Sequence, residues 1–189
     1  LYVAYDVTSA FELLNAFGDS KLIFKGGNLL DIQIAAGDGA DPKRKTPVPG
    51  DVRLLISRRA GPDGAVKPVV VVYRPKVKDF KGEPIVLVSP TGKEPFEAIE
   101  TTDRVELDYQ KTEGGFRAVA AIPLDLLGLK LKPGTTVKMD VGYLFGNPGG
   151  TQIALRSYWS NNSFSANVVN DVPNESRLEP GEWGTASVE

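Results

Sequence analysis

The chain has 189 residues, with 22 Lys and Arg against 24 Asp and Glu, a formal net charge of −2 and 41% hydrophobic residues. This length and composition are typical of a single soluble globular domain, residues 1–189, that buries its own core. The evenly spread charge argues against a nucleic-acid-binding protein, and no apolar run approaches the ~20 residues that span a bilayer.

Two residue types are absent, and their absence excludes several kinds of chemistry. The chain contains no cysteine and no histidine. Without cysteine there is no disulfide framework, thiolate metal site or cysteine nucleophile. Without histidine there is no Ser-His-Asp triad, no zinc site built on imidazole and no usual axial haem ligand. We therefore expect a protein without haem.

Strand-like runs follow one another along most of the chain. In order they read LYVAYDV, SKLIF, LLDIQIA, DVRLLIS, PVVVVYR, PIVLVS, RVELDYQKT, GFRAVAAI, TVKMDVGYLF and TQIALRSYW. Clusters of Gly, Pro, Asn and Asp separate most of them, and Glu113–Gly115 lies between two alternating runs, as in a hairpin. About ten short strands at this spacing predict an all-β antiparallel sandwich.

Helix signals are few. Ser9–Phe17 is a candidate short helix, with Ser9 as its cap and Glu12 at the third position. Pro123–Gly128 predicts one helical turn, begun by proline and ended by glycine. The tail from Asn161 onward lacks periodicity, and we expect it to wrap over the sandwich. Because the chain begins at Leu1 inside a strand, we expect it to be part of a larger protein.

Carboxylates offer one route to catalysis without histidine. A pair facing each other across a cleft would suit a glycoside hydrolase. The candidates are Asp31, Glu106, Asp108, Asp140 and Asp171. Glu106 and Asp108 share one strand face by the period of two, which favours a solvated surface over a catalytic pair.

Oxygen-rich turns raise the question of calcium. Asp38 and Asp41 stand close together in DGAD, and Asp171 follows two asparagines in NVVND. Calcium accepts such ligands on loops, although neither stretch has EF-hand spacing and ordinary turns explain both as well.

The segment RSYWSNN, residues 156–162, combines the side chains that bind sugars. An aromatic ring stacks on the apolar face of a sugar, and polar groups such as Asn161 and Asn162 pair with its hydroxyls. Strand alternation, however, puts Trp159 on the same side as Leu155 and opposite Arg156. That arrangement favours a buried Trp159.

Several motifs occur in an order that is recognisable: LYVAYDV, NLLDIQI, DVRLLIS, GGFRAVAAIPLDLLGLKLKPGTTVKMDVGYLF, SYWSNNS and EWG. In this order the chain resembles carbohydrate-binding module family 9, a β-sandwich group related to the DOMON superfamily. The resemblance covers nearly the whole chain. It also implies one further strand upstream of LYV, which this sequence lacks.

The resemblance implies particular ligand contacts. Arg53 matches the contacting arginine of the family, and Asp31 falls where the family has a contacting glutamate. Phe164 falls where one of two sugar-sandwiching aromatics is expected. The other position falls at Lys25–Gly27, where no aromatic stands, and Phe17 is the candidate to replace it.

Taken together, these observations predict a non-catalytic module that binds a polysaccharide or oligosaccharide. The resemblance implies a bacterial exported parent protein, extracellular or periplasmic, and a structural calcium. The candidate ligand-binding residues are Arg53, Asp31, Phe164, Phe17, Asn161, Asn162 and Trp159; the candidate metal ligands are Asp38, Asp41 and Asp171. The alternatives are a structural or adhesive sandwich domain that pairs with other proteins, and a carboxylate hydrolase.

Overall fold

The computed structural model describes residues 1–35, 41, 43–147, 151–162 and 171–189. This part of the chain is mostly strand, and its strands pair in antiparallel sheets with few short helices, so the predicted all-β sandwich is confirmed. The strands are β1 Tyr2–Thr8, β2 Leu29–Ala35, β3 Asp51–Ala60, β4 Val66–Arg74, β5 Ile85–Ser89, β6 Gly92–Phe96, β7 Ala98–Thr101, β8 Glu106–Thr112, β9 Gly115–Ala121, β10 Thr136–Gly146, β11 Ile153–Tyr158 and β12 Gly184–Ser187.

Short helices connect some of the strands. The α-helices are α1, Leu124–Leu127, and α2, Val172–Ser176; the 3₁₀ helices span Ser20–Lys25 and Pro180–Glu182. Gly128 ends α1 in the left-handed conformation, at φ 70°, as the predicted helical turn requires. None of the helices in the described ranges has the length and apolarity needed to cross a bilayer.

Two sheets of unequal width form the sandwich. The small sheet has the strand order β1-β9-β8, and the large sheet has the order β11-β10-β2-β3-β4-β7. Strand β12 also pairs with β10, next to β11, and β5 and β6 form a separate hairpin. The small sheet therefore covers only part of one face of the large sheet.

The large sheet buries side chains on both faces. Its inner face packs against the small sheet through an apolar core that includes Ile32, Leu54 and Phe116. Its outer face lies under the Ser20–Lys25 helix, the β5–β6 hairpin, α2 and the C-terminal segment, and the apolar cluster between these layers includes Leu55, Tyr73 and Trp183. Because both faces are covered, β2 and β3 are buried almost throughout.

The predicted helix over Ser9–Phe17 is wrong. Leu13 enters the inner core and Asn15 is buried, whereas Leu14 between them is exposed, which is the alternation of an extended chain. The Asn15 backbone N–H donates to the carbonyl of Arg58 at 2.8 Å, so the segment is held beside the end of β3. Tertiary contacts outweigh the capping pattern, which stabilises a helix only weakly.

The predicted strand SKLIF is also wrong, because it is the Ser20–Lys25 3₁₀ helix. Asp19 caps this helix by accepting the Lys21 backbone N–H at 2.8 Å. The adjacent residues Ile23 and Phe24 are both buried. In a strand successive side chains point to opposite faces, so two consecutive buried residues here fit a helical turn better than a strand.

Candidate functional site

The outer face of the large sheet carries a buried polar cluster at its centre. Asp31 on β2 and Arg53 on β3 are its core, with exposed fractions of 0% and 2%. Arg53 donates to Asp31 through Nε, at 3.0 and 3.1 Å, and through Nη2, at 2.7 Å. This fork-like pairing is the strong form of an arginine–carboxylate bond.

Arg53 also reaches the segment that covers it. Its Nη1 donates to the backbone carbonyl of Glu175 in α2 at 2.6 Å. Burial is the largest single effect on the pKa of Arg53 and lowers it, but the charge and hydrogen bond of Asp31, with Tyr158 and Tyr73, together raise the pKa above its ordinary value. The guanidinium is therefore charged and held by both a strand and the covering helix.

Glu175 is the second carboxylate of the buried polar cluster. Its side chain is fully buried and pairs with Lys25 and, at 2.9 Å, with Nη2 of Arg156 on β11. Burial raises the pKa of Glu175, and the two cations oppose that rise. Since Lys25 belongs to the 3₁₀ helix, this one side chain joins α2, that helix and the edge of the large sheet.

Tyr158 on β11 joins the cluster across a gap in the sheet surface. Its hydroxyl donates to Oδ2 of Asp31 at 2.6 Å. The ring reaches that far because Gly142, which pairs with both Tyr158 and Asp31, leaves the space above β10 empty. Burial, followed by the charge of Asp31, raises the pKa of Tyr158 well above its ordinary value.

Arg53 and Asp31 are the two residues that the resemblance places nearest a ligand. The family resemblance implies that both contact a sugar in a groove. In the structure they are buried beneath α2 and satisfy each other. Both side chains are buried, and the contacts observed for them are those of an ion pair.

The expectation that Trp159 is buried is wrong. Alternation along β11 does place Leu155 and Trp159 on one side and Arg156 and Tyr158 on the other, but the buried side is the polar one. Trp159 is 55% exposed and Leu155 is 48% exposed. Both lie on the part of the large sheet that extends past β1, the edge strand of the small sheet.

An open groove runs between this part of the large sheet and β1. Its volume is about 360 Å³. Phe145, Ser157 and Trp159 line it from the large sheet, and Asp6 and Thr8 line it from the edge of β1. We call this feature the Trp159 groove. It combines an exposed indole with polar groups of Ser157 and of the free edge of β1, which is the kind of chemistry that the sequence suggested for sugar binding.

The remaining candidate ligand residues lie elsewhere. Asn161 is buried, with its Nδ2 atom donating to Oε2 of Glu179 at 3.2 Å, whereas Asn162 is exposed. Phe17 is half-buried, and its carbonyl accepts from Nη2 of Arg59 at 2.5 Å. None of these three lines the Trp159 groove. Phe164 lies outside the described residues.

The metal candidates do not come together in the described ranges. There, no group of three or more Asp or Glu side chains is close enough to hold a cation. Asp41 accepts the Lys43 backbone N–H at 2.8 Å, as in an ordinary turn, and Asp171 accepts from the hydroxyl of Ser89 at 2.9 Å. Asp38 lies outside the described residues, so calcium binding there stays a prediction.

The carboxylates considered for hydrolysis are divided between two environments. Glu106 and Asp108 are exposed on a single strand, β8. Asp140 is buried, and its oxygens accept backbone N–H groups from Val141, Ser160 and Asn161. Glu106 and Asp108 therefore lie on a strand surface, whereas the carboxylate of Asp140 is already hydrogen-bonded to backbone N–H groups.

Comparison with known proteins gives no assignment. No family model matches the chain, and no curated protein matches it. The buried polar cluster and the Trp159 groove are therefore the features that bear on function. Glu175 was absent from the candidate residues because it lies in a tail without periodicity.

Proposed function

We propose that the chain is a non-catalytic carbohydrate-binding module of a bacterial exported protein, and that it takes a sugar ring on Trp159. One observation carries this proposal: a large aromatic ring, 55% exposed, borders a groove that Ser157 and the free edge of β1 also line. Burying a tryptophan is strongly favourable, so a strand that leaves one in solvent beside polar groups suits ligand binding better than folding.

The groove matches the two-sided chemistry of a sugar. The C–H face of a pyranose can stack on the indole of Trp159 and remove apolar surface from water. Its hydroxyls then face Ser157 and the outward backbone N–H and C=O groups of Asp6 and Thr8, which offer both donors and acceptors. Apolar contact would supply most of the affinity, and the polar groups would supply orientation.

The proposal gives the buried polar cluster a supporting role. Asp31, Arg53 and Tyr158 bind β2, β3 and β11 to one another. Trp159 directly follows the last residue of strand β11. The ion pair that the resemblance places in contact with sugar would thus hold the strand that presents the aromatic ring.

Titration calorimetry against glucose, cellobiose and xylan fragments tests the proposal. The wild-type chain should give heat with at least one of them, and Trp159→Ala should abolish it. Leu155→Ala is the matched control, because Leu155 is an exposed apolar residue on the same face of the same strand and does not line the groove. The absence of binding heat with all of these sugars at millimolar concentration would contradict the proposal.

A second function, assembly with another protein chain, has one observation in its favour. Strand β1 is an edge strand. Leu1 and Ile122 exchange both backbone hydrogen bonds, at 2.9 and 2.8 Å, so the odd residues of β1 direct their N–H and C=O groups toward β9. The even residues direct theirs outward, where an added strand could pair with them.

Light scattering over a range of protein concentrations separates this second function from the first. Assembly through β1 predicts a dimer or larger species that Ala4→Lys reduces, because Ala4 lies on the free edge with its side chain exposed. A monomer at every concentration would count against self-assembly. Sugar binding predicts no such dependence.

A further inference from the structure

The turn that follows β11 is fixed at several points, although Trp159 itself is exposed. The Trp159 backbone N–H donates to the Val141 carbonyl at 2.9 Å, which continues the pairing with β10 by one residue. The hydroxyl of Ser160 donates to the carbonyl of Glu182 at 2.9 Å. An exposed side chain thus stands on a backbone that has little freedom.

Asp140 provides the strongest of these attachments. Its Oδ1 accepts the Ser160 backbone N–H at 3.0 Å, and its Oδ2 accepts the Asn161 backbone N–H at 2.8 Å. Asp140 is 1% exposed and sits on β10 beside the start of the turn. A buried carboxylate that receives backbone N–H groups is a charge-assisted contact, roughly twice as strong as a neutral one.

Gly184 supports the ring itself. Strands β11 and β12 pair with the same strand, β10, at successive positions, and Trp159 lies where one ends and the other begins. A Cβ atom added to Gly184 would lie only 2.6 Å from the nearest atom of the Trp159 ring, at Cζ3. The benzo half of the indole therefore rests on bare backbone, and any larger residue would displace it.

We infer that Asp140 and Gly184 are positioning residues that set the orientation of Trp159 toward its groove. Asp140 fixes the backbone just after the tryptophan, and Gly184 provides the flat surface beneath the ring. The consequence for affinity rests on the proposed function, because a pre-oriented ring loses less conformational entropy on binding a sugar. The orientation itself does not depend on any ligand.

Fluorine NMR of the chain labelled with fluorotryptophan measures this orientation directly. The chain has two tryptophans, and Trp159→Phe assigns the two resonances. We expect Asp140→Asn and Gly184→Ala each to shift or broaden the Trp159 resonance more than that of buried Trp183. Asp108→Asn, an exposed carboxylate on β8, is the matched control and should move neither.

The result that overturns the inference is a Trp159 resonance that is unchanged in both folded variants, or a Trp183 resonance that moves as much as Trp159. If Asp140→Asn fails to fold, Gly184→Ala decides, because it leaves the Asp140 contacts intact.

If the wild-type chain binds a sugar, each of the two variants should lower the affinity for that sugar by about tenfold, equivalent to about 1.4 kcal/mol. A wild-type chain that binds no sugar would contradict the proposed function. The Trp159 resonance would still show whether Asp140 and Gly184 set the orientation of the ring.

Discussion

The ion pair between Asp31 and Arg53 leads to a quantitative prediction about stability. In the variant Asp31→Leu the arginine loses three of its four hydrogen bonds, and only the Glu175 carbonyl at 2.6 Å remains. Arg53 is 2% exposed, so water cannot replace the lost carboxylate. Removing one partner of such a buried pair lowers the free energy of unfolding by about 3–5 kcal/mol.

Urea unfolding followed by circular dichroism measures this loss. Asp125→Leu is the matched control, because Asp125 also pairs with an arginine, Arg104, at 2.6 Å, but both side chains are largely exposed. The control should leave the unfolding midpoint almost unchanged, since solvent screens exposed pairs. The slope of free energy against urea should stay constant if only stability has changed.

A double variant separates the uncompensated charge from the loss of packing. Arg53→Met in the Asp31→Leu background removes the buried charge and keeps a long side chain, so the double variant should be more stable than Asp31→Leu alone. The reasoning is refuted if Asp31→Leu costs no more than Asp125→Leu. It is also refuted if the double variant is the less stable of the two.

Two further predictions follow from the same face of the sheet. Gly142→Ala would place a methyl group inside the space filled by the Tyr158 ring and should lower the free energy of unfolding by about 1–3 kcal/mol. Gly18→Ala is the control, because a Cβ atom there would meet no atom within 4 Å and the free energy of unfolding should not change. Equal unfolding midpoints for the two variants would contradict this prediction. Burial raises the pKa values of Tyr5, Tyr73 and Tyr158, so these tyrosines ionise at lower pH in the unfolded chain than in the folded one. Their contribution to the stability of the folded state is therefore complete below about pH 10 and is lost as the pH rises further. Tyrosinate absorbance should therefore appear together with the loss of circular dichroism, and ionisation of all six tyrosines in a folded chain would contradict it.

Much of the sheet structure could be predicted from local patterns. The hairpin at Glu113–Gly115 is present as the β8–β9 turn, with Gly114 at φ 78°. Alternation in Arg156–Trp159 assigned residues correctly to the two sides of β11. Such features depend only on neighbours in sequence, which is why periodicity and turn chemistry find them.

Long-range contacts decided the features that were missed. The Ser9–Phe17 segment is extended because Asn15 bonds to Arg58 and Leu13 reaches the core, and neither contact has a local signal. Glu175 meets Arg156 only after the tail has folded back over the sheet. A charged residue in an irregular tail gives no indication of its partner.

The exposure of Trp159 follows from the unequal widths of the two sheets. Period-two alternation tells which side chains share a face, but not which face another layer covers. A three-stranded sheet cannot cover a sheet of seven strands, so the inner face of β11, beyond β1, is left open. The outer face of β11 lies under α2, whose Glu175 meets Arg156 there. The usual rule is therefore inverted at this edge: the charged side of the strand is buried with its counter-charges, and the apolar side faces solvent. Solvent exposure of Trp159 is thus a property of sheet topology, and the groove that it borders exists because the small sheet ends at β1.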